Sequence, residues 1–303
     1  MTDATQTLSP ADPAPDSATG ASSSQTIKRL SAWQRLLRDK PAVIAGTFLL
    51  LVVLAAIFAP YLTAFDPYDT NMRMRLRPPG GDYLLGTDAQ GRDMVTRLLY
   101  GIRTTLLIGF SGVMLGGLIG AAMGIIAAFY KRLDNIIMRV VDVLLSFPSI
   151  LFGLAIAAVL GAGITSLIVA LTIAAIPTVA RIARGAATVV MQNEYMEAGR
   201  AIGLSDWTLI WRYLALNCLS AIFVYLTLQF GQTILLGAAL SFLGLGAQPP
   251  TAELGTMAAE GRNFLFFAPH VSTIPSVAIF MIVLAFNVLG DALRDVLDPR
   301  MRQ

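Results

Sequence analysis

One cysteine and one histidine stand in 303 residues, and charged side chains make up only 14% of the chain. Cys218 by itself cannot close an internal disulfide, and His270 by itself gives no Cys/His cluster of the kind that holds zinc or haem, so both read as packing residues. The three lysines, Lys28, Lys40 and Lys131, follow Ile, Asp and Tyr. No Gly-Lys-Ser/Thr turn is therefore available to cradle phosphates, which excludes nucleotide hydrolysis by a P-loop. Nucleophilic catalysis needs a base beside the nucleophile, and His270 has no carboxylate near it in sequence. The scarcity of charge accompanies 55% hydrophobic residues and a mean hydropathy of +0.67, values that belong in a bilayer. A net charge of +3 and a pI near 9.2 suit the cytoplasmic loops of a membrane protein better than a nucleic-acid surface.

Residues 1–26 contain no Lys or Arg and are rich in Ser, Thr, Ala, Pro and Asp. Such a segment buries too little apolar area to offset its ordering entropy, so residues 1–27 are expected to form a disordered cytoplasmic tail. Five uncharged runs follow, at 41–65, 104–130, 143–180, 213–252 and 263–290. The first is longer than the apolar core of a signal peptide and reads as a retained span. About 20 residues make one crossing, so 143–180 is too long for one span and is divided at the turn "GAGITS". The run 213–252 ends in Gly244, Gly246, Pro249 and Pro250, which stop a helix before a second crossing. The expectation is an all-α membrane protein with six spans, at about 42–62, 104–130, 143–160, 164–183, 214–240 and 272–291. With both termini in the cytoplasm most of the 22 Lys and Arg lie inside, while Arg73, Arg75, Arg77, Arg92, Arg97 and Arg103 share the one long outer loop.

Three further patterns stand out. In "GTDAQGRDMVTRLLYGIRTTLL", Thr87 or Asp88 can cap a helix with Val95, Leu98, Leu99 and Ile102 on one face, giving an amphipathic helix at the outer interface; a solvated loop has similar residues. Gly112, Gly116, Gly120 and Gly124 recur every four residues and let a neighbouring helix approach closely. No span carries an acid or base in its middle, where an ion-coupled transporter keeps its coupling charge. The third pattern is "EYMEAGRAIGLSDWTLIWRYLALN". It suits a helix from Asn193 to Ile202, with Tyr195, Met196, Ala198 and Ile202 in apolar contact and Glu194, Glu197 and Arg200 facing water. Gly203 ends that helix in the left-handed conformation, Leu204 makes the accompanying contact, and Ser205 or Asp206 caps a second helix leading into the fifth span. A helix resting on lipid and a helix read by another protein both fit these residues.

That segment resembles the EAA motif of binding-protein-dependent ABC importers, Glu-Ala-Ala, three residues, then Gly, here Glu197, Ala198, Gly199, Arg200, Ala201, Ile202, Gly203. Residues 28–302 are similar to the C-type permease subunit of the dipeptide, oligopeptide and nickel branch. The supporting matches are "GTDAQGRDMVTRLLYGIRTTL", "DVLLSFPSILF", "ALSFLGLGAQPP" and "GDALRDVLDPR", in the family's order. Gly199 replaces the second alanine, and Leu216 stands where that family usually has proline before Asn217. The resemblance implies a cytoplasmic coupling helix at about 193–204, between spans 4 and 5, with Glu197, Ala198, Gly199, Ala201, Gly203, Leu204, Ser205 and Asp206 docking on an ATPase. It implies as partners a homologous second permease, two ABC ATPase subunits, an extracytoplasmic solute-binding protein and membrane lipid, and no nucleic acid. This chain would hold no cofactor or metal, because ATP and Mg belong to the ATPases. Peptide is the leading cargo, with nickel or another small solute as the alternative. A secondary transporter, or a membrane scaffold without transport, would each be a different class of protein.

Overall fold

The computed structural model describes residue 34 and residues 36–297, without the side chain of residue 297. The expected tail at 1–27, together with Lys28, Arg29, Arg300 and Arg302, lies outside the described residues. Among those described there is no β-strand, only helices and two isolated bridges. Five helices are long and apolar enough to cross a membrane, and a bent pair makes a sixth crossing if it is counted as one.

The first helix, α1 (Lys40–Ile57), is capped by Asp39, whose carboxylate accepts from the Ala42 N–H at 3.4 Å, with Pro41 in the first turn. Pro60 lacks an N–H and its ring clashes with a continuing helix, so the expected span 42–62 breaks at Phe58 into α1 and a single turn, α2 (Ala59–Leu62). Next comes α3 (Met94–Phe129). Its 36 residues, about 54 Å at 1.5 Å each, exceed a hydrocarbon core of about 30 Å. The outer amphipathic helix is thus no separate element; it is the first turns of this span. Asp93 caps it through the Thr96 N–H (2.8 Å), while Thr87 and Asp88 are buried in the preceding loop.

The expected third span, 143–160, is corrected by the structure. Helix α4 (Lys131–Ser146) meets α5 (Ser149–Leu160) at 89°. Pro148 is the cause, since it forces Phe147 out of the helical region to φ −94°, ψ 136°. The 12 residues of α5 rise only about 18 Å, less than a hydrocarbon core of about 30 Å, so a sixth crossing counts α4 and α5 together as one bent span. Beyond the Gly161–Gly163 turn, α6 (Ile164–Met191) runs eight residues past its expected end. Arg181 and Arg184 do not stop it because they are paired, with Asp142 at 2.6 Å and with Asp134 at 2.5 Å. Then follow α7 (Glu194–Ala201), a continuous helical segment α8 (Asp206–Phe242), the short α9 (Leu254–Gly261) and α10 (His270–Leu297). The fifth and sixth spans, expected at 214–240 and 272–291, lie inside α8 and α10.

Packing follows from the small residues. A Cβ built on Gly112 would lie 2.8 Å from Leu171 Cβ, one on Gly116 2.7 Å from the Thr172 carbonyl oxygen, and one on Gly120 2.6 Å from the Ile176 carbonyl oxygen. The glycine face of α3 is therefore seated on the backbone of α6. Ala45, Leu49, Ile102, Phe230 and Ile282 then close a core joining α1, α3, α8 and α10. Phe129 and Ala187 pack with Met196 and Leu209 at the end of the bundle where α7 sits. The 63–93 and 243–269 loops meet at the other end, where His270 Nε2 lies 3.2 Å from the Thr87 carbonyl.

Candidate functional site

At the α7 end, the chain turns through a complete glycine-terminated cap. The Gly203 N–H donates to the Arg200 carbonyl (3.0 Å) and the Leu204 N–H to the Gly199 carbonyl (3.0 Å). Gly203 sits at φ 79°, the left-handed region that a residue without Cβ enters freely. Leu204 packs against Gly199 and the buried Met196–Leu209 cluster. Gly199 itself is buried, and a Cβ there would meet the Leu209 Cδ2 at 2.8 Å, a flexible side-chain end. An alanine at this position would be accommodated by a small shift of Leu209, so the Gly199 departure from the motif is conservative in structure also.

Ser205 and Asp206 are engaged within the chain. Ser205 Oγ accepts from the Thr208 N–H (3.3 Å), and Asp206 accepts from the Tyr130 hydroxyl (2.9 Å), which holds the Tyr130 pKa above its ordinary value. The Arg200 guanidinium lies 5.2 Å over the Phe129 ring. Together these contacts fix the segment to the α3–α4 junction. Its outward face differs from the expectation. Only Met196 and Gly199 of α7 are buried, whereas Tyr195, Ala198 and Ile202 join Glu194, Glu197 and Ala201 on the open side. Ile202 is 76% exposed, Trp207 71% and Trp211 56%, and the two tryptophan rings lie 5.4 Å apart between centroids and are tilted by 57°. The helix passes unbroken through Leu216 after a π-helical stretch, Leu209–Ala215, and Asn217 donates its amide to the Tyr213 carbonyl.

Sequence reasoning missed a second cluster, at the opposite end. Arg92 and Arg97, counted above with the outer-loop arginines, are 2% and 1% exposed. Asp88 Oδ2 lies 2.6 Å from Arg92 Nε and 3.2 Å from Arg97 Nε, and Glu260 Oε2 lies 3.6 and 3.8 Å from their Nη2 atoms. Arg97 also donates to the Pro250 carbonyl (3.2 Å). Glu253, 2% exposed, caps α9 by accepting from the Gly255 and Thr256 N–H groups (both 2.8 Å) and from the Thr105 hydroxyl on α3 (3.2 Å). Buried charges persist only when paired and hydrogen-bonded, so this network locks the 243–269 loop onto the start of α3. The i, i+4 pair Asp88–Arg92 is visible in sequence, but Glu260 is not linked to it by any local pattern.

Burial raises the Glu260 pKa above the usual carboxylate range, and Arg97 and Arg92 oppose that shift. A folded pKa above the unfolded one means that the folded state binds the proton more tightly. The stability this group contributes is present below the ordinary carboxylate pKa and is lost as pH rises through the raised value. Thermal unfolding at pH 5 and pH 7 should therefore show the wild type gaining on Glu260→Gln as the medium is acidified.

Residues 116–303 match the family described as binding-protein-dependent transport system inner membrane component, and residues 30–79 match the N-terminal TM domain of oligopeptide transport permease C. The chain belongs to this family of inner-membrane permease subunits of binding-protein-dependent ABC importers. It is 43% identical over 272 residues to the glutathione transport system permease GsiD of Pectobacterium atrosepticum, covering 89% of this chain and 90% of that one. A Brucella abortus protein, provisionally named a peptide transport system permease, is 45% identical over 269 residues (89% and 91%). Among solved structures, the inward-facing MetNI methionine ABC transporter shares the fold, with a TM-score of 0.56 at 21% identity over 67% of this chain and 97% of that one. Membership implies an ATPase and a solute-binding protein as partners, with the ATPase activity in a separate subunit.

Proposed function

We propose that this chain forms half of the membrane path of an importer for dipeptides or oligopeptides, and that Glu194–Asp206 is the cytoplasmic helix through which separate ATPases drive it. The observation that carries the reading is the asymmetry of that segment. One side is bonded into the bundle through Met196, Leu204, Arg200 and Asp206, and the other leaves Glu197, Ala198, Ile202 and Trp207 exposed. A helix fixed on its inner face, with acidic and apolar side chains free on its outer face, transmits a push from a partner as a rigid-body movement, where a loose loop would absorb it. The positive-inside rule supports a cytoplasmic orientation for this segment, because Lys131, Arg132, Arg139, Arg181, Arg200 and Arg212 lie in or beside the segments that join the spans on the same side as it does. The peptide cargo is supported by the names of the relatives and by the oligopeptide-type N-terminal match. A second permease and two ATPases complete the assembly, and MgATP is held by the latter.

A single thiol tests the docking and the topology together, because the native Cys218 is fully buried. Ile202→Cys should be unreactive towards an impermeant maleimide on intact cells, reactive in inverted vesicles, and shielded again when the ATPases are bound. Labelling on intact cells would place the segment outside. Equal labelling with and without the ATPases would return it to the lipid-resting alternative.

A further inference from the structure

Away from the coupling end, α1, α3, α8 and α10 leave an open cleft of about 610 Å³. Its walls are apolar, among them Val53, Ile57, Leu107, Phe110, Phe223 and Phe286. Two lining residues are polar. Thr227 spends its hydroxyl on the Val224 carbonyl at 2.7 Å, which leaves Arg103 as the one charged group in the wall. Arg103 is exposed, and among the described residues no carboxylate lies within 4.0 Å of it. It lines the cleft together with Ile57, the last residue of α1, from which the chain runs on towards the 63–93 loop.

We propose that this cleft is a binding site for one anionic phospholipid, with an acyl chain along the apolar wall and the headgroup phosphate on Arg103. The dimensions suit it. From Arg103 to Met114, the deeper lining residue on α3, the helix rises about 16 Å, close to the depth of hydrocarbon in one leaflet. The chemistry disfavours the transported solute here, because a peptide would bring several backbone amide groups while Arg103 could satisfy only a carboxylate or one carbonyl among them. It also disfavours a helix of another subunit, whose apolar side chains would cover Arg103 and leave its charge unpaired beside hydrocarbon. A phosphate satisfies the guanidinium through paired N–H donors and keeps the apolar wall dry. The proposal rests on the membrane placement alone and is independent of the coupling role given to Glu194–Asp206.

The experiment isolates the chain with its accompanying subunits, in mild detergent, from membranes containing phosphatidylglycerol and phosphatidylethanolamine, and measures retained lipid by native mass spectrometry. Phosphatidylglycerol should be retained in preference, at about one molecule per chain, and Arg103→Gln should reduce that retention about tenfold or more while Arg103→Lys preserves most of it. Leu107→Trp, on an already exposed position of the wall, should displace the lipid with Arg103 intact. Equal retention by wild type and Arg103→Gln would overturn the site, as would equal retention of the two lipids. Disulfide trapping of Leu107→Cys onto another subunit would also overturn it, showing the cleft to be a protein interface.

Discussion

Gly120→Leu is expected to prevent the chain from folding, and Gly116→Leu to do the same. On an exposed helix, replacing glycine by alanine gains about 1 kcal/mol in helix propensity. Here the first added atom already stands 2.6 Å from the Ile176 carbonyl oxygen at Gly120, and 2.7 Å from the Thr172 carbonyl oxygen at Gly116. Those are backbone atoms of α6 and cannot rotate away. Forcing extra atoms into a packed contact costs about 1–3 kcal/mol where side chains can adjust, and more where they cannot, so steric cost outweighs propensity even for alanine. Leucine adds three further carbons and must separate α3 from α6. Gly124 is closed in the same way, by Arg184 N at 2.7 Å and Ala183 Cβ at 2.8 Å. Quantifying the membrane-inserted, detergent-stable chain by fluorescence-detected gel filtration decides the matter: Gly120→Ala should be weakened and Gly120→Leu absent. Normal levels of both leucine variants would mean that the two helices do not meet along this face. A control is Gly185, where an added Cβ meets nothing within 4 Å, so Gly185→Ala should be tolerated.

The second large effect is on coupling. Gly203→Asp should leave the chain in the membrane and loosen its hold on the ATPase. No atom lies within 4 Å of a Cβ built at Gly203, so the entire penalty comes from φ 79°, where an L-residue pays roughly 1–2 kcal/mol. That is small beside a whole-protein stability of about 5–15 kcal/mol, so the bundle survives. It is large enough to undo the two cap hydrogen bonds from Gly203 and Leu204, which set the angle between α7 and α8. If the strain is relieved by tilting α7, the docking face moves, and 1–2 kcal/mol corresponds to a roughly 5- to 30-fold loss of affinity. Gly203→Val should be worse than Gly203→Asp, because a β-branched residue is the poorest occupant of the left-handed region, and Gly203→Asn should be milder. Co-purification of the ATPase with each variant, together with substrate-stimulated ATP hydrolysis in proteoliposomes, provides the measurement. Full retention of both by Gly203→Val would show that the bend has no part in docking.

Helix existence was legible because its signals are local. The apolar runs, the Gly112–Gly124 repeat and the Gly203 stop each depend on residues within a turn or two of one another, and each appears in the structure as a helix, a close contact or a left-handed residue. Pro148 was equally local and was passed over in favour of hydropathy, which averages across a bend and so joined α4 to α5. Of the four apolar residues expected to make contacts in the 194–206 segment, Met196 is buried, whereas Tyr195, Ala198 and Ile202 are exposed. Tyr195 and Ile202 are apolar and on a helix, and only the position of α7 on the bundle decides that Met196 and Gly199 face inward while those two face out.

The sequence by itself determined that this chain lives in a membrane, roughly where it crosses, and which short segment bears the importer motif, because hydropathy, proline and glycine act over a few residues. Tertiary structure alone decided that Arg92 and Arg97 are buried rather than solvated, that Glu253 and Glu260 close the 243–269 loop onto α3, and that Arg103 stands unpaired at an apolar cleft. The physical reason is the range of the interaction. A charge can be buried only if its partner arrives with it; Asp88 is local to Arg92, but Glu260 and the Pro250 carbonyl are brought to the two arginines from far along the chain by packing that no local pattern encodes.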